Sequence, residues 1–241
     1  MLSTGRLSVL TFSAIALIAL AGFKADAYGN QESGSLRDVR GFDSVTFATS
    51  GELIIAQGDQ ESLEIVTRAG DLPRIVTEVR GATLFIGREG PGPLFSLSPP
   101  IFRLSVKTIA GLETHSSGKI TVNNLRASSL RIRISSSGGI RIDSLAADSL
   151  DVLISSSGSV RVAGRVKQQD IRLSSSGSYL AGNLDSRTAR VKVSSSGSAT
   201  LRVSDSLEAS VTSSGSVRYY GSSPQVEANV TSSGRLVRLG E

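Results

Sequence analysis

From about residue 107 onward, apolar and polar positions alternate in a pattern that returns every 18 to 20 residues. Each period is marked by a Ser-Ser-Gly tripeptide ending at Gly118, Gly138, Gly158, Gly177, Gly197, Gly215 and Gly234, at spacings of 20, 20, 19, 20, 18 and 19 residues. Six residues before these glycines stand Leu112, Ile132, Val152, Ile171, Val191, Ala209 and Ala228. Four before stand Thr114, Ile134, Ile154, Leu173, Val193, Val211 and Val230, and two after stand Ile120, Ile140, Val160, Tyr179, Ala199, Val217 and Leu236. The positions between are polar: seven before the glycine they read Gly111, Arg131, Asp151, Asp170, Arg190, Glu208 and Glu227. A period of two, rich in β-branched residues, describes a strand with one buried face. One strand, one corner and a second strand per 19–20 residues predict an all-β chain coiled rung upon rung, a parallel β-helix or β-solenoid.

The corner has its own expected chemistry. Glycine reaches positive φ without steric penalty, so a turn repeated in every rung predicts left-handed glycines. Continued alternation points the serine two before each glycine inward: Ser116, Ser136, Ser156, Ser175, Ser195, Ser213 and Ser232. It points the residues one and three before the glycine outward. Ser135, Ser137, Ser155, Ser157, Ser174, Ser176, Ser194 and Ser196 then form a double hydroxyl ladder with rungs about 4.8 Å apart, a candidate surface for a periodic ligand.

The first half is less regular. Thr49-Ser50-Gly51, with Val45 and Phe47 before it and Leu53 and Ile55 after it, repeats the later register and reads as an early rung. Strand-like runs follow at 63–67, 75–79, 83–86 and 102–106. Arg88 to Pro100 carries Pro91, Pro93, Pro99 and Pro100 and reads as a surface loop. Residues 28–241 are therefore expected to be one solenoid domain, with 28–106 less regular and 107–239 regular. Residues 1–27 read as a signal peptide: Arg6, an apolar run from Leu7 to Ala21, and Ala25-Asp26-Ala27 as the cleavage site. The apolar run falls short of the ~20 residues of a bilayer span, so no stable membrane span is expected after cleavage. An exported protein, periplasmic or extracellular, follows.

Composition narrows the chemistry. The chain has 26 basic and 21 acidic residues, one histidine and no cysteine, which excludes disulfides and a lipid-modified cysteine. Residues 128–220 hold twelve of the basic and seven of the acidic side chains, an excess suited to weak attraction to anionic glycans or membranes. Nucleic acid is not an expected partner, because aromatic stacking residues are few. His115 falls in the outward column and reads as a solvated rung residue; neither a metal site nor a cofactor is expected. The sharpest catalytic alternative is Asp151 beside Asp170. Adjacent rungs hold these carboxylates about 5 Å apart, near the separation of retaining glycosidases. Arg131 and Arg190 flank them in the same column, which points to a ladder of charge pairs instead.

The segments Gly41-Phe42-Asp43-Ser44-Val45, Gly51-Glu52-Leu53-Ile54-Ile55-Ala56-Gln57-Gly58-Asp59, Leu63-Glu64-Ile65 and Thr83-Leu84-Phe85-Ile86, followed by the Ser-Ser-Gly rungs, resemble the putative auto-transporter adhesin, head GIN domain family. The resemblance covers residues 37 to 239. It implies a right-handed parallel β-helix in an exported bacterial envelope protein with no known enzymatic activity, and it carries no catalytic residues over. The expected function is a non-catalytic exported β-helix for adhesion or for contact with a surface or partner, such as a polysaccharide or an envelope protein. The alternative is a carbohydrate-active enzyme on acidic polysaccharide. At the ends of the coil, the segment Tyr28–Arg40 is expected to cover one side. The strands around Val226–Val230 and Leu236–Leu239 are left as a self-association edge.

Overall fold

The computed structural model describes residues 32–90, 99–222 and 224–240. The signal peptide and Pro91 and Pro93 of the proline-rich loop lie outside the described residues. The described residues fold into nineteen strands, β1 to β19 in chain order, which form one β-solenoid of about six turns.

Two ladders, parallel except at their first ends, carry the architecture. The first stacks the strands that enter the corners: β5 (Ile75–Arg80), β6 (Thr83–Arg88), β2 (Ser44–Phe47), β8 (Gly111–Thr114), the last part of β9 (Lys119–Ile134), β10 (Gly139–Ile154) and β11 (Ser159–Leu173), then β14 (Thr188–Val193), β16 (Ser206–Val211) and β18 (Gln225–Val230). The second stacks the strands that leave them: β1 (Glu32–Arg37), β4 (Ser62–Arg68), β7 (Ile101–Val106), β3 (Glu52–Gln57), the first parts of β9, β10 and β11, then β12 (Ser178–Ala181), β15 (Ser198–Arg202), β17 (Ser216–Tyr220) and β19 (Arg235–Gly240). The middles of β9, β10 and β11, with β13 (Leu184–Asp185), form a third side that returns the chain to the next rung.

The apolar columns of the sequence are the core. Val45, Leu112, Ile132, Val152, Ile171, Val191 and Ala209 stand one above another in register, and all are buried. Ile134, Ile154 and Leu173 are likewise inside. Each such side chain contributes roughly 1.5–3 kcal/mol by leaving water, so a one-residue slip, which would turn the whole column outward, is strongly disfavoured. Where the period shortens from 20 to 19, the register of β10 against β11 shifts between Ile142 and Leu145. Gly164 bridges the missing residue at φ +123°, and a Cβ there would lie 2.5 Å from the Leu145 nitrogen. One polar cluster crosses the core. The Tyr179 hydroxyl donates to Gln169 Oε1 (2.8 Å), Gln169 Nε2 donates to Ser186 Oγ (2.7 Å), and Ser186 Oγ donates to the Arg202 carbonyl (2.7 Å). Burial pushes the Tyr179 phenol up from its ordinary value.

The corners depart from expectation. None of the seven Ser-Ser-Gly glycines has a left-handed φ. They are glycine because the rungs approach too closely for a side chain. A Cβ at Gly138 would lie 2.5 Å from the Ser116 carbonyl oxygen, and one at Gly158 would lie 2.8 Å from those of Ser136 and Gly138 and strike Ile134. The positive φ belongs to serine in the last three corners: Ser195 (68°), Ser213 (59°) and Ser232 (59°). In the last two, Gly215 and Gly234 donate N–H groups to Thr212 and Thr231, closing tight turns. Ser116, Ser136, Ser156 and Ser175 are half-buried as expected, but Ser195, Ser213 and Ser232 are exposed, because the left-handed turn swings them out of the interior.

The early rung is real, but it sits out of sequence order. The β2–β3 rung lies between the β6–β7 rung and the β8–β9 rung, so the chain steps over it from Val106 to Gly111. Gln57 braces that step: its Nε2 donates to the Lys107 and Arg126 carbonyls, both at 3.0 Å, and its Oε1 accepts the Arg126 N–H at 2.8 Å. Gly58 follows with an N–H to the Val106 carbonyl. The runs at 63–67 and 75–79 do form strands, β4 and β5, but both pair antiparallel to the coil. With β1, which pairs antiparallel to β4, they close the first end.

Candidate binding surfaces

The flat serine ladder exists over part of its expected length. Ser135, Ser137, Ser155, Ser157, Ser174 and Ser176 are exposed on equivalent corners. At Ser194 and Ser196 the corner has changed conformation: Ser194 is half-buried and donates to the Leu173 carbonyl (3.3 Å), and Ser195 points outward between them. Ser155 also spends its hydroxyl, on the Ile134 carbonyl at 3.4 Å. Ser135 Oγ lies 2.7 Å from His115 Nδ1, whose ring faces Glu113 at 3.3 Å. Among the described residues, Ser137, Ser157, Ser174 and Ser176 make no side-chain hydrogen bond, so the free ladder is one short row with Ser174 beside its end.

Asp151 and Asp170 do stand side by side, in direct register between β10 and β11. A residue from the neighbouring column joins them: Arg172 Nη1 lies 3.2 Å from Asp151 Oδ2 and its Nη2 2.8 Å from Asp170 Oδ2. Arg190 approaches Asp170 at 4.0 Å and binds Glu208 at 2.7 Å. One oxygen of each carboxylate is thus committed to a shared guanidinium, and the column is a chain of ion pairs. It borders a polar depression of about 610 Å³ with Glu208 and Glu227. Among the described residues there is no cluster of three His, Asp or Glu side chains placed to hold a metal ion.

The larger feature was not read from the sequence. Along the third side a groove of about 1340 Å³ runs from Ile109 to Ser222, crossing successive rungs. Its origin is local. Leu125 and Leu130 both point inward although five residues apart, and Leu145 and Leu150 repeat this, so the chain must turn between them. Small residues occupy that turn: Ala127, Ala147 and Val166 are in register, and Ile109 and Val203 extend the aliphatic floor at either end. Five inter-rung steps of about 4.8 Å make the floor about 24 Å long. One rim stacks Arg126, Ala146, Arg165 and Asp185 in register. The other holds ion pairs between Lys167 and Asp148 (2.8 Å) and between Arg187 and Asp205 (2.9 Å). The Ser204 hydroxyl, with Arg187, holds the Asp205 carboxyl below its ordinary range. Arg126 and Arg165 have no ion pair among the described residues. The groove is therefore aliphatic below and cationic along one edge. The sequence signal was the five-residue gap between inward leucines, which breaks the period of two once per rung.

With coil, corners and groove in place, the chain can be set beside known proteins. A family model described as putative auto-transporter adhesin, head GIN domain, matches residues 41–223. The chain belongs to that family. Gln57 and Gly58 of the segment that carried the resemblance are the brace beneath the stepped-over rung. Solved structures share the fold, among them the following three. A putative adhesin from Bacteroides fragilis is 20% identical, with a TM-score of 0.81 over 88% of this chain and 98% of that one. A putative lipid binding protein from Parabacteroides distasonis is 22% identical, with a TM-score of 0.71 over 88% and 98%. A putative adhesin from Parabacteroides merdae is 17% identical, with a TM-score of 0.68 over 86% and 96%. No curated protein matches the chain. Among the described residues no helix is long and apolar enough to cross a membrane.

Proposed function

We propose that this adhesin-like β-solenoid is an exported, non-catalytic binding protein of the cell envelope that holds an elongated anionic amphiphile in the groove of its third side. The observation that carries the reading is the groove itself, a floor that is aliphatic on either side of Ser186, with Arg126 and Arg165 free of ion pairs along one rim. Aliphatic carbons fit an acyl chain better than a sugar, which is usually held on aromatic faces, and the two arginines suit an acidic head group. The Parabacteroides distasonis relative described as a putative lipid binding protein supports this choice. The carbohydrate-active alternative loses ground because Arg172 occupies both carboxylates on which it depended.

The test is a vesicle-binding assay with phosphatidylglycerol against phosphatidylcholine. Each cation near an anionic surface is worth about 1 kcal/mol, so the double variant Arg126→Glu/Arg165→Glu is expected to weaken binding to phosphatidylglycerol roughly ten-fold or more. Ala147→Trp, which fills the floor, is expected to weaken it without changing net charge. Equal binding to both vesicles, or indifference to both variants, overturns the reading. Release of products from polygalacturonate would restore the enzyme.

A further inference from the structure

The open end of the coil carries a strand complementary to itself. β18 is the last strand of the first ladder, and all six of its residues are exposed. Gln225 and Thr231, which bracket it, donate N–H groups to Asp205 and Val211 of the rung beneath, at 2.8 and 3.0 Å. Alternate residues of a strand direct their backbone groups to opposite sides, so Val226, Ala228 and Val230 direct N–H and C=O away from the coil. These three also continue the buried columns, in register with Leu207, Ala209 and Val211. Yet Val226 and Val230 remain 41% and 40% exposed. Unmade hydrogen bonds and uncovered aliphatic side chains coincide on one edge, the condition under which strands recruit strands.

The apolar positions of Val226-Glu227-Ala228-Asn229-Val230 are symmetric about Ala228, with Glu227 and Asn229 at the two equivalent polar positions. We propose that a second copy of the chain pairs with the first, β18 antiparallel to β18, about a two-fold axis through Ala228. This register sets Val226 opposite Val230 of the partner subunit, Ala228 opposite its own copy, and Glu227 opposite Asn229 of the partner subunit. The three apolar residues then form hydrogen-bonded pairs and the two interiors become continuous. Centring the axis on Glu227 instead would set glutamate against glutamate. The neighbouring edge is less suited. β19 carries Arg235 and Arg238, and the Arg238 guanidinium is bound to the Gly221 and Ser222 carbonyls, so cations guard that strand. An isologous pair closes on itself and leaves no further edge of this kind.

The chain has no cysteine, so a single engineered thiol gives an unambiguous test. The Cα atoms of a hydrogen-bonded antiparallel pair lie about 5.5 Å apart, within the reach of a disulfide. Oxidised Ala228→Cys is expected to run as a covalent dimer that reductant dissolves, whereas Ser155→Cys on the serine face stays monomeric. By light scattering the purified protein is expected to show a monomer–dimer equilibrium. Val230→Lys and Ala228→Pro should each raise the dimer dissociation constant at least ten-fold with circular dichroism unchanged. The proline removes no intrachain hydrogen bond, because the Ala228 N–H faces outward. A strict monomer at high concentration, open-ended polymers, or cross-linking no better from Ala228→Cys than from Ser155→Cys overturns the proposal. Should both edge variants lose their fold, the cysteine comparison decides alone. None of these variants touches the groove, so vesicle binding can fail while dimerisation stands, and the reverse.

Discussion

The two ends of this coil solve the same problem differently. At the first end the chain doubles back, laying β4, β1 and β5 antiparallel over the outermost rungs, so that Leu63 and Ile65 are fully buried. At the last end none of the described residues is laid over β18 and β19, and Val226, Val230, Val237 and Leu239 stand about two-fifths exposed. The sequence is least repetitive where the fold is closed and most repetitive where it is open. A repeated unit builds a rung that needs a neighbour on both sides, and only a departure from the repeat can end the stack.

Replacing one residue at each end gives the largest contrast. Phe47→Ala removes a fully buried ring that packs edge-on against Phe102 at 5.3 Å, and is expected to destabilise by about 4 kcal/mol in urea denaturation. Val230→Ala at the open end should cost less than about 1 kcal/mol. Equal losses would mean that the open rung is covered in the monomer.

Between the ends, Gly158→Val tests the corners. Its side chain would meet Ile134 and the backbone oxygens of Ser136 and Gly138, for an expected loss of about 3 kcal/mol. An unchanged melting curve would show that the rungs can separate to admit a side chain.

Gln169→Leu should cost about 2 kcal/mol by stranding the Tyr179 hydroxyl, and Tyr179→Phe in the same chain should recover part of it. The pH dependence has a definite sign. Because burial raises the Tyr179 pKa in the fold, its contribution is fully present below the phenol's ordinary value of about 10 and is lost as pH rises through the folded value. Spectrophotometric titration should find Tyr179 protonated until alkali unfolds the protein.

The smallest effect belongs to the outer face of the cap. Leu36 is 80% exposed on β1, so Leu36→Lys should shift stability by less than about 0.5 kcal/mol. A larger loss would place a covering contact on the closed end as well.

The columns at six and four before and two after each glycine were legible because a coil repeats its inside and outside with every rung. Of the corner reading, the inward and outward serines of the earlier rungs also survived. The left-handed residue did not. Ser-Ser-Gly is spelled the same at residues 175–177 and 195–197, and only the packing of the adjoining rungs decides whether the serine turns inward or flips. The groove was hidden for a related reason: Ala127, Ala147 and Val166 look like ordinary small residues until three rungs set them in one line.

By itself, then, the sequence determined what repeats: the period, the buried columns, the early rung at Thr49–Gly51 and the family to which Gln57 and Gly58 belong. These are local, since a strand's pattern of burial is written in its own alternation. Tertiary structure alone decided the order of the first rungs, the antiparallel cap, the committed state of Asp151 and Asp170 through Arg172, and the axial groove. Each depends on which distant segments become neighbours. The alternation that specifies a strand's inner face is the same whether its partner runs parallel or antiparallel, above or below.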